Sequence, residues 1–145
     1  MIKIFDGEYA FLSNFYECDV TYNGLTYKNS EAAFHAQKTL NEEERKQFIT
    51  LDPSASKKLG RKITLRSDWE SVKTKIMYEI CYAKFSQNED LKARLLATED
   101  EYLEEGNYWH DNCWGNCSCE KCKDITGENR LGAILMEIRE ELGND

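Results

Sequence analysis

The dipeptide Asn23–Gly24 constrains this chain more than any other feature. It sits between two β-favouring runs, Asp19-Val20-Thr21-Tyr22 and Leu25-Thr26-Tyr27. Asn and Gly both tolerate the positive φ angles of a type I′ turn, whose twist matches that of paired strands, so Cys18 to Tyr27 is predicted to form a hairpin. Elsewhere only the weakly alternating Met1–Phe5 and the segment Glu101–Glu105 read as strand. The rest carries helix signals. Ser30 reads as an N-cap with Glu31 at the positive helix end, opening a helix to about Leu40. Asn41 precedes three glutamates and a helix ending near Thr50. Asp52-Pro53 starts a third helix, which Gly60 ends. Ser67 or Asp68 caps a longer one to about Phe85, where Trp69, Val72, Ile76, Ile80 and Ala83 recur at helical spacing. Asn88 caps a short helix through Ala97, and a last amphipathic helix covers Asn129 to Leu142 with Leu131, Ile134, Leu135, Ile138 and Leu142 inward. The prediction is an α+β fold, a mostly helical single domain over residues 1–145 with a small antiparallel N-terminal sheet.

Composition narrows the function. A net charge of −8 repels phosphate over most of the surface, so no general nucleic-acid binding is expected. No apolar stretch approaches the length that spans a bilayer, so no membrane partner is expected. The short apolar run at Met1–Phe5, followed at once by acids, does not read as a signal peptide, which makes the cytoplasm the expected location. The six cysteines are then expected to be mostly reduced, with Cys18 and Cys81 packed inside.

Four constellations could carry chemistry. Glu31, Phe34, His35 and Lys38 share one stripe if the helix continues through them, with the small residues Ala32, Ala33 and Ala36 as the buried alternative. The same stripe also reads as a solvated face with ordinary ion pairs. Lys57, Lys58, Arg61, Lys62 and Arg66 form a basic run in an acidic chain, suited to phosphate or, more plainly, to a helix end. The stretch Tyr102 to Gly115 gathers Glu104, Glu105, Tyr108, Trp109, His110, Asp111 and Trp114. Carboxylates there could stabilise a sugar oxocarbenium ion and aromatics could stack on a base, or the stretch is an aromatic-anchored loop. Finally, Cys113, Cys117, Cys119 and Cys122 could wrap a zinc ion. The ligands are crowded and only one C-x2-C knuckle is present, so reduced loop cysteines are the preferred reading. No cofactor is expected to be required, structural zinc being the lesser alternative.

Together these segments resemble the NADAR or YbiA-like family, named for its association with NAD and ADP-ribose. The resemblance runs through Phe11-Leu12-Ser13-Asn14-Phe15, Ser30-Glu31-Ala32-Ala33-Phe34-His35-Ala36-Gln37-Lys38, Gly60-Arg61, Trp69-Glu70-Ser71-Val72-Lys73 and Ala83-Lys84-Phe85. It continues in Leu95-Leu96-Ala97-Thr98, Asp111 with Trp114-Gly115, and Gly127-Glu128-Asn129-Arg130-Leu131-Gly132. It implies a mostly helical α+β fold and N-glycosidase activity. Family members are linked to hydrolysis of ribosylamino-pyrimidine phosphates from riboflavin synthesis, others to removal of ADP-ribose from guanine. Residues implicated in such proteins match Glu31, Lys38, Trp69 and Asp111. Where the family often has His-Tyr-Phe after the glutamate, this chain has Ala32-Ala33-Phe34, and Thr39 follows the lysine.

The expected partner is therefore a small phosphorylated N-riboside or an ADP-ribosylated guanine. Glu31 or Asp111 would stabilise positive charge at the anomeric carbon or activate water, and Lys38 could form an imine with the sugar. Arg61, with Lys57 or Lys58, would hold phosphate. Trp69, Phe15, Phe34 and Trp114 would form apolar walls, Glu104 would add a carboxylate, and Asn14 and Asn129 would orient hydroxyls or the base edge. A non-catalytic ADP-ribose or NAD-binding module and a cysteine-based metal or redox protein are the competing readings.

Overall fold

The computed structural model describes residues 1–144. It divides into two compact units: a central unit, Asn14–Leu91, and a terminal unit made of Met1–Ser13 and the chain from Lys92 onward.

The central unit begins with the hairpin. Strands β1 (Glu17–Tyr22) and β2 (Leu25–Asn29) pair antiparallel, with Val20 opposite Tyr27 and Tyr22 opposite Leu25. Asn23 and Gly24 have φ of 50° and 84°, which is the left-handed pair the turn requires. Val20 and Tyr27 point inward and are fully buried, while Thr21 and Thr26 share a 2.8 Å hydroxyl contact on the outer face. The outer edge of β1 is covered rather than left open. Gln87 accepts from the Thr21 amide and donates to the Thr21 carbonyl, both at 2.9 Å, so one carboxamide replaces a missing strand.

Helix α1 (Ser30–Ala36) follows β2 without a linker. Its N-cap is Asn29, not Ser30: the Asn29 carboxamide accepts from the Ala32 amide at 2.7 Å. Ser30 instead donates its hydroxyl to Asn14 Oδ1 at 2.9 Å. The helix stops at Ala36, a turn before the predicted end at Leu40. Beyond it the Lys38 carbonyl is taken by the Arg66 amide at 2.7 Å, a tertiary bond that competes with continued helix. Helices α2 (Glu42–Lys46) and α3 (Pro53–Leu59) are capped by Asn41 and Asp52 as predicted, although α2 is shorter than expected. Helix α4 (Trp69–Gln87) begins after Asp68, whose carboxylate is held by Arg66 at 2.6 Å instead of capping. It packs on β1 and α1 through Ile76, Met77, Ile80, Cys81 and Phe85, with Val72 only half-buried.

Helix α5 (Glu89–Leu96) carries the chain into the terminal unit. There the two segments read as strands shrink to an isolated parallel bridge between Ile2 and Leu103, flanked by amide-to-carbonyl bonds from Ile2 to Tyr102 and from Glu104 to Ile2. Two further short strands, β3 (Gly106–Asn107) and β4 (Asn116–Cys117), pair in parallel. Helix α6 (Arg130–Gly143) closes the unit, and all five residues assigned to its inner face are buried. The α+β prediction stands, with β1 and β2 as the small antiparallel sheet.

Candidate functional site

The stripe on α1 is not a solvated face. Ala32, Ala33 and Ala36 are fully buried, but Phe34 and His35 are buried as well, so the helix is enclosed on nearly every side. A charged residue on such a helix must find a partner. Glu31 does: its Oε1 lies 2.6 Å from His35 Nε2, one turn on, and its side chain is only 14 % exposed.

The other ring nitrogen of His35 is buried without a hydrogen-bond partner among the described residues. Gly60 explains why. A Cβ at Gly60 would lie 2.5 Å from His35 Nδ1, so α3 approaches the imidazole as closely as a bare backbone allows. Gly60 ends α3 as expected, but its φ of −58° is right-handed, so no left-handed turn calls for glycine there. The residue is required by close packing instead. With Nδ1 pressed against α3, the ring proton belongs on Nε2, where Glu31 accepts it.

Phe34 and Trp69 meet with ring centroids 5.0 Å apart, and Phe34 meets His35 edge-on at 5.6 Å. Phe34 thus links the Trp69 ring to the imidazole that holds the Glu31 carboxylate. Lys38, half-buried past the end of α1, has its pKa lowered. Burial is the main cause, and the charges of Arg61, Lys57 and Lys73 add to it, while Glu31 opposes it. The expected members Glu31, Phe34, Lys38, Arg61 and Trp69 are thus brought together in the central unit. Arg61 and Lys57 are exposed. Asn14 is buried, but its amide is committed to Ser30 and to Met77 Sδ, and its carbonyl accepts from the Glu31 amide at 3.1 Å. It places the start of α1. Phe15 is 46 % exposed.

The remaining expected residues belong to the terminal unit. Asp111 Oδ1 accepts from the amides of Cys113 and Trp114 at 3.1 and 2.9 Å, which holds the carboxylate in one orientation and folds its own loop. Asn129 adopts φ 48° ahead of α6, accepting from Glu105 N and donating to the Leu103 carbonyl, both at 2.9 Å. It ties the loop to the Ile2–Leu103 segment. Glu104 and Trp114 are half-buried. Of the four cysteines considered for metal, Cys117, Cys119 and Cys122 lie together, joined by His110; Cys113 is not in that group.

Sequence reasoning passed over one buried ionisable group. Lys84 on α4 is 1 % exposed, with its ammonium 5.0 Å from the Phe85 ring centroid and 5.8 Å from that of Tyr16. Burial lowers its pKa to about 8, against the opposing influence of Cys18 and Cys81. The signal was present: Lys84 falls four residues after Ile80 and seven after Met77, in the apolar register of its helix. Because the folded pKa lies below the unfolded value of 10.5, the unfolded state binds more protons between about pH 8 and 10.5 and stability should rise across that window. Cysteines and tyrosines titrate nearby, so comparison with Lys84→Met isolates the effect. Denaturant unfolding at successive pH values should show the wild type gaining stability relative to that variant by a slope approaching one proton.

A family model of the NADAR domain matches residues 3–143, a span that includes both units. The N-glycosidase YbiA of Escherichia coli (strain K12) is 37 % identical over 142 residues, covering 93 % of this chain and 82 % of that protein. An N-glycosidase of Nostoc punctiforme is 44 % identical over 94 residues, covering 63 % of this chain and 56 % of that protein. A riboflavin biosynthesis protein of Vibrio vulnificus is 35 % identical over 140 residues, covering 94 % of this chain and 36 % of that one. The NMR structure of E. coli YbiA matches with a TM-score of 0.81 at 35 % identity, covering 99 % of this chain and 88 % of that one.

Proposed function

The chain belongs to the NADAR domain family, and from that premise we propose that it is an N-glycosidase whose central unit releases a base from a phosphorylated ribose. The observation that carries this reading is Lys38, a half-buried amine of lowered pKa, held among Arg61, Lys57 and Lys73 with Glu31 as the opposing carboxylate.

The substrate class is a riboside joined through an exocyclic amino group. Either a ribosylamino-pyrimidine phosphate or an ADP-ribosyl guanine fits this chemistry. The Vibrio vulnificus relative named for riboflavin biosynthesis favours the pyrimidine. Arg61 and Lys57 take the phosphate, since a guanidinium matches phosphate oxygens in a bidentate fork. Phe34 and Trp69 take the flat base.

A glycosylamine opens when its nitrogen lone pair forms a C=N bond and the ring oxygen leaves C1 with a proton. The neutral amine of Lys38 adds to C1, giving a carbon that bears two nitrogens. The base nitrogen then takes a proton and departs with its bonding pair, leaving a lysine imine. Water adds to that imine and the C–N bond to Lys38 breaks, which returns the amine and frees the sugar as an aldehyde that recloses. Glu31 moves the protons in these steps, and His35 fixes its orientation through Nε2. Lowering the Lys38 pKa raises the fraction of free amine at neutral pH, which is what the first addition needs.

Incubation with each candidate substrate, followed by borohydride reduction and mass spectrometry, tests the route. A sugar adduct on Lys38 is expected, together with loss of the adduct and a fall in turnover of at least about 100-fold in Lys38→Ala. Undiminished trapping in that variant would remove Lys38 from the chemistry. Glu31→Gln should lower turnover by a similar factor while substrate binding stays within a few-fold, and near wild-type turnover would exclude Glu31.

Substitution of Asp111, in the terminal unit, separates the role in turnover that the family resemblance implies from its loop-holding contacts. Asp111→Asn keeps the Oδ1 acceptor for the Cys113 and Trp114 amides while replacing the other oxygen with an uncharged NH2 group. It should lower turnover by about tenfold or more without changing the melting temperature. Asp111→Ala should also cost about 1–2 kcal/mol of stability through the lost acceptor. Equal turnover for Asp111→Asn and wild type would restrict Asp111 to its loop.

A further inference from the structure

The long segment between β3 and α6 contains few regular elements: β4 and a single 3-10 turn at Glu120–Cys122. A stretch this irregular needs some other device to hold it. Four side chains supply one. The ligand atoms of His110, Cys117, Cys119 and Cys122 all lie within 4.8 Å of one another. His110 Nδ1 is 3.2 Å from Cys119 Sγ and 3.4 Å from Cys122 Sγ. In a tetrahedron with metal–sulfur bonds of about 2.3 Å and a metal–nitrogen bond of about 2.0 Å, the ligand atoms stand roughly 3.5–3.8 Å apart. The observed group is near that size.

We propose that His110, Cys117, Cys119 and Cys122 form a structural zinc site that clips this loop together. Three further features fit a thiolate–metal centre better than a chance cluster. The C-x2-C pair, Cys119 and Cys122, sits on a tight turn in which the Cys122 amide donates to the Cys119 carbonyl at 3.0 Å. The backbone amides of His110 and Cys119 both point at Cys117 Sγ, at 3.3 and 3.4 Å, as donors do around a metal-bound thiolate. His110 itself holds φ 69°, a costly conformation for a residue with a side chain, which turns the imidazole onto the sulfurs.

Cys117, Cys119 and Cys122 are not joined in disulfides, so these sulfurs are available to a metal. A disulfide would also use only two of the three and leave the imidazole on a third. The Cys117, Cys119, Cys122 and His110 set replaces the four-cysteine set that the sequence suggests, because Cys113 is outside the cluster. The protein fills all four positions, so the role is structural, and the proposal stands independently of the glycosidase reading.

The test uses the full reduced chain. Purified protein is dialysed against a weak chelator and its metal content measured, then titrated with Zn²⁺ and with Co²⁺ as an optical probe. The expected results are about one zinc per chain, visible absorption typical of tetrahedral thiolate-bound Co²⁺, and an X-ray absorption spectrum with three sulfurs and one nitrogen around zinc. His110→Ala and Cys119→Ser should each weaken Co²⁺ binding by about 100-fold or more, whereas Cys113→Ser should bind as the wild type does. Failure of the wild type to bind either ion would overturn the site. So would a four-sulfur zinc shell or retention of wild-type affinity in His110→Ala. The X-ray absorption measurement needs no variant, so a substitution that fails to fold does not remove the test.

Discussion

Helix α1 has almost no exposed surface, and this burial sets the rest of the central unit. A buried helix must satisfy its polar groups from within the protein. The Asn29 carboxamide caps the first turn, Asn14 receives Ser30 and the Glu31 amide, and His35 receives the Glu31 carboxylate at 2.6 Å. Gly60 follows from the same constraint: α3 has to pass so near the imidazole that no Cβ fits. The carboxylate is therefore oriented by packing before any substrate arrives.

The same packing limits the length of α1. Once the Lys38 carbonyl bonds to the Arg66 amide at 2.7 Å, the chain leaves the helix and the lysine leaves the helical stripe. Lys38 ends half-buried near other cations, where both desolvation and repulsion favour the neutral amine. A lysine one turn along a longer, solvated helix would not be desolvated in this way. The proposed nucleophile thus depends on a helix that is shorter than its local sequence would form.

The terminal unit solves a different problem. Its loop has little ladder pairing, so side chains take the place of backbone partners. Asp111 holds two amides, Asn129 bridges Glu105 and Leu103, and three sulfurs gather around His110. Asp111 and Asn129 each satisfy two backbone groups with one polar side chain.

Much of the fold was legible in the chain because it rests on local rules. Asn23–Gly24 determines a turn through the φ angles those residues tolerate, Asp52-Pro53 and Asn41 determine helix starts, and the apolar spacing from Leu131 to Leu142 determines which face of α6 is buried. The pairing of Glu31 with His35 follows from helical spacing, and the basic run from Lys57 to Arg66 announces a cationic neighbourhood. Tertiary structure decided what depends on neighbours distant in sequence. It chose Asn29 over Ser30 as the cap, because Asn14 claims the serine hydroxyl. It ended α1 at Ala36, buried Lys84, gave Gly60 a packing role against His35, and brought His110 rather than Cys113 beside Cys117, Cys119 and Cys122. In each case the residue's own preference was satisfied in more than one way, and a contact made by a remote segment selected between them.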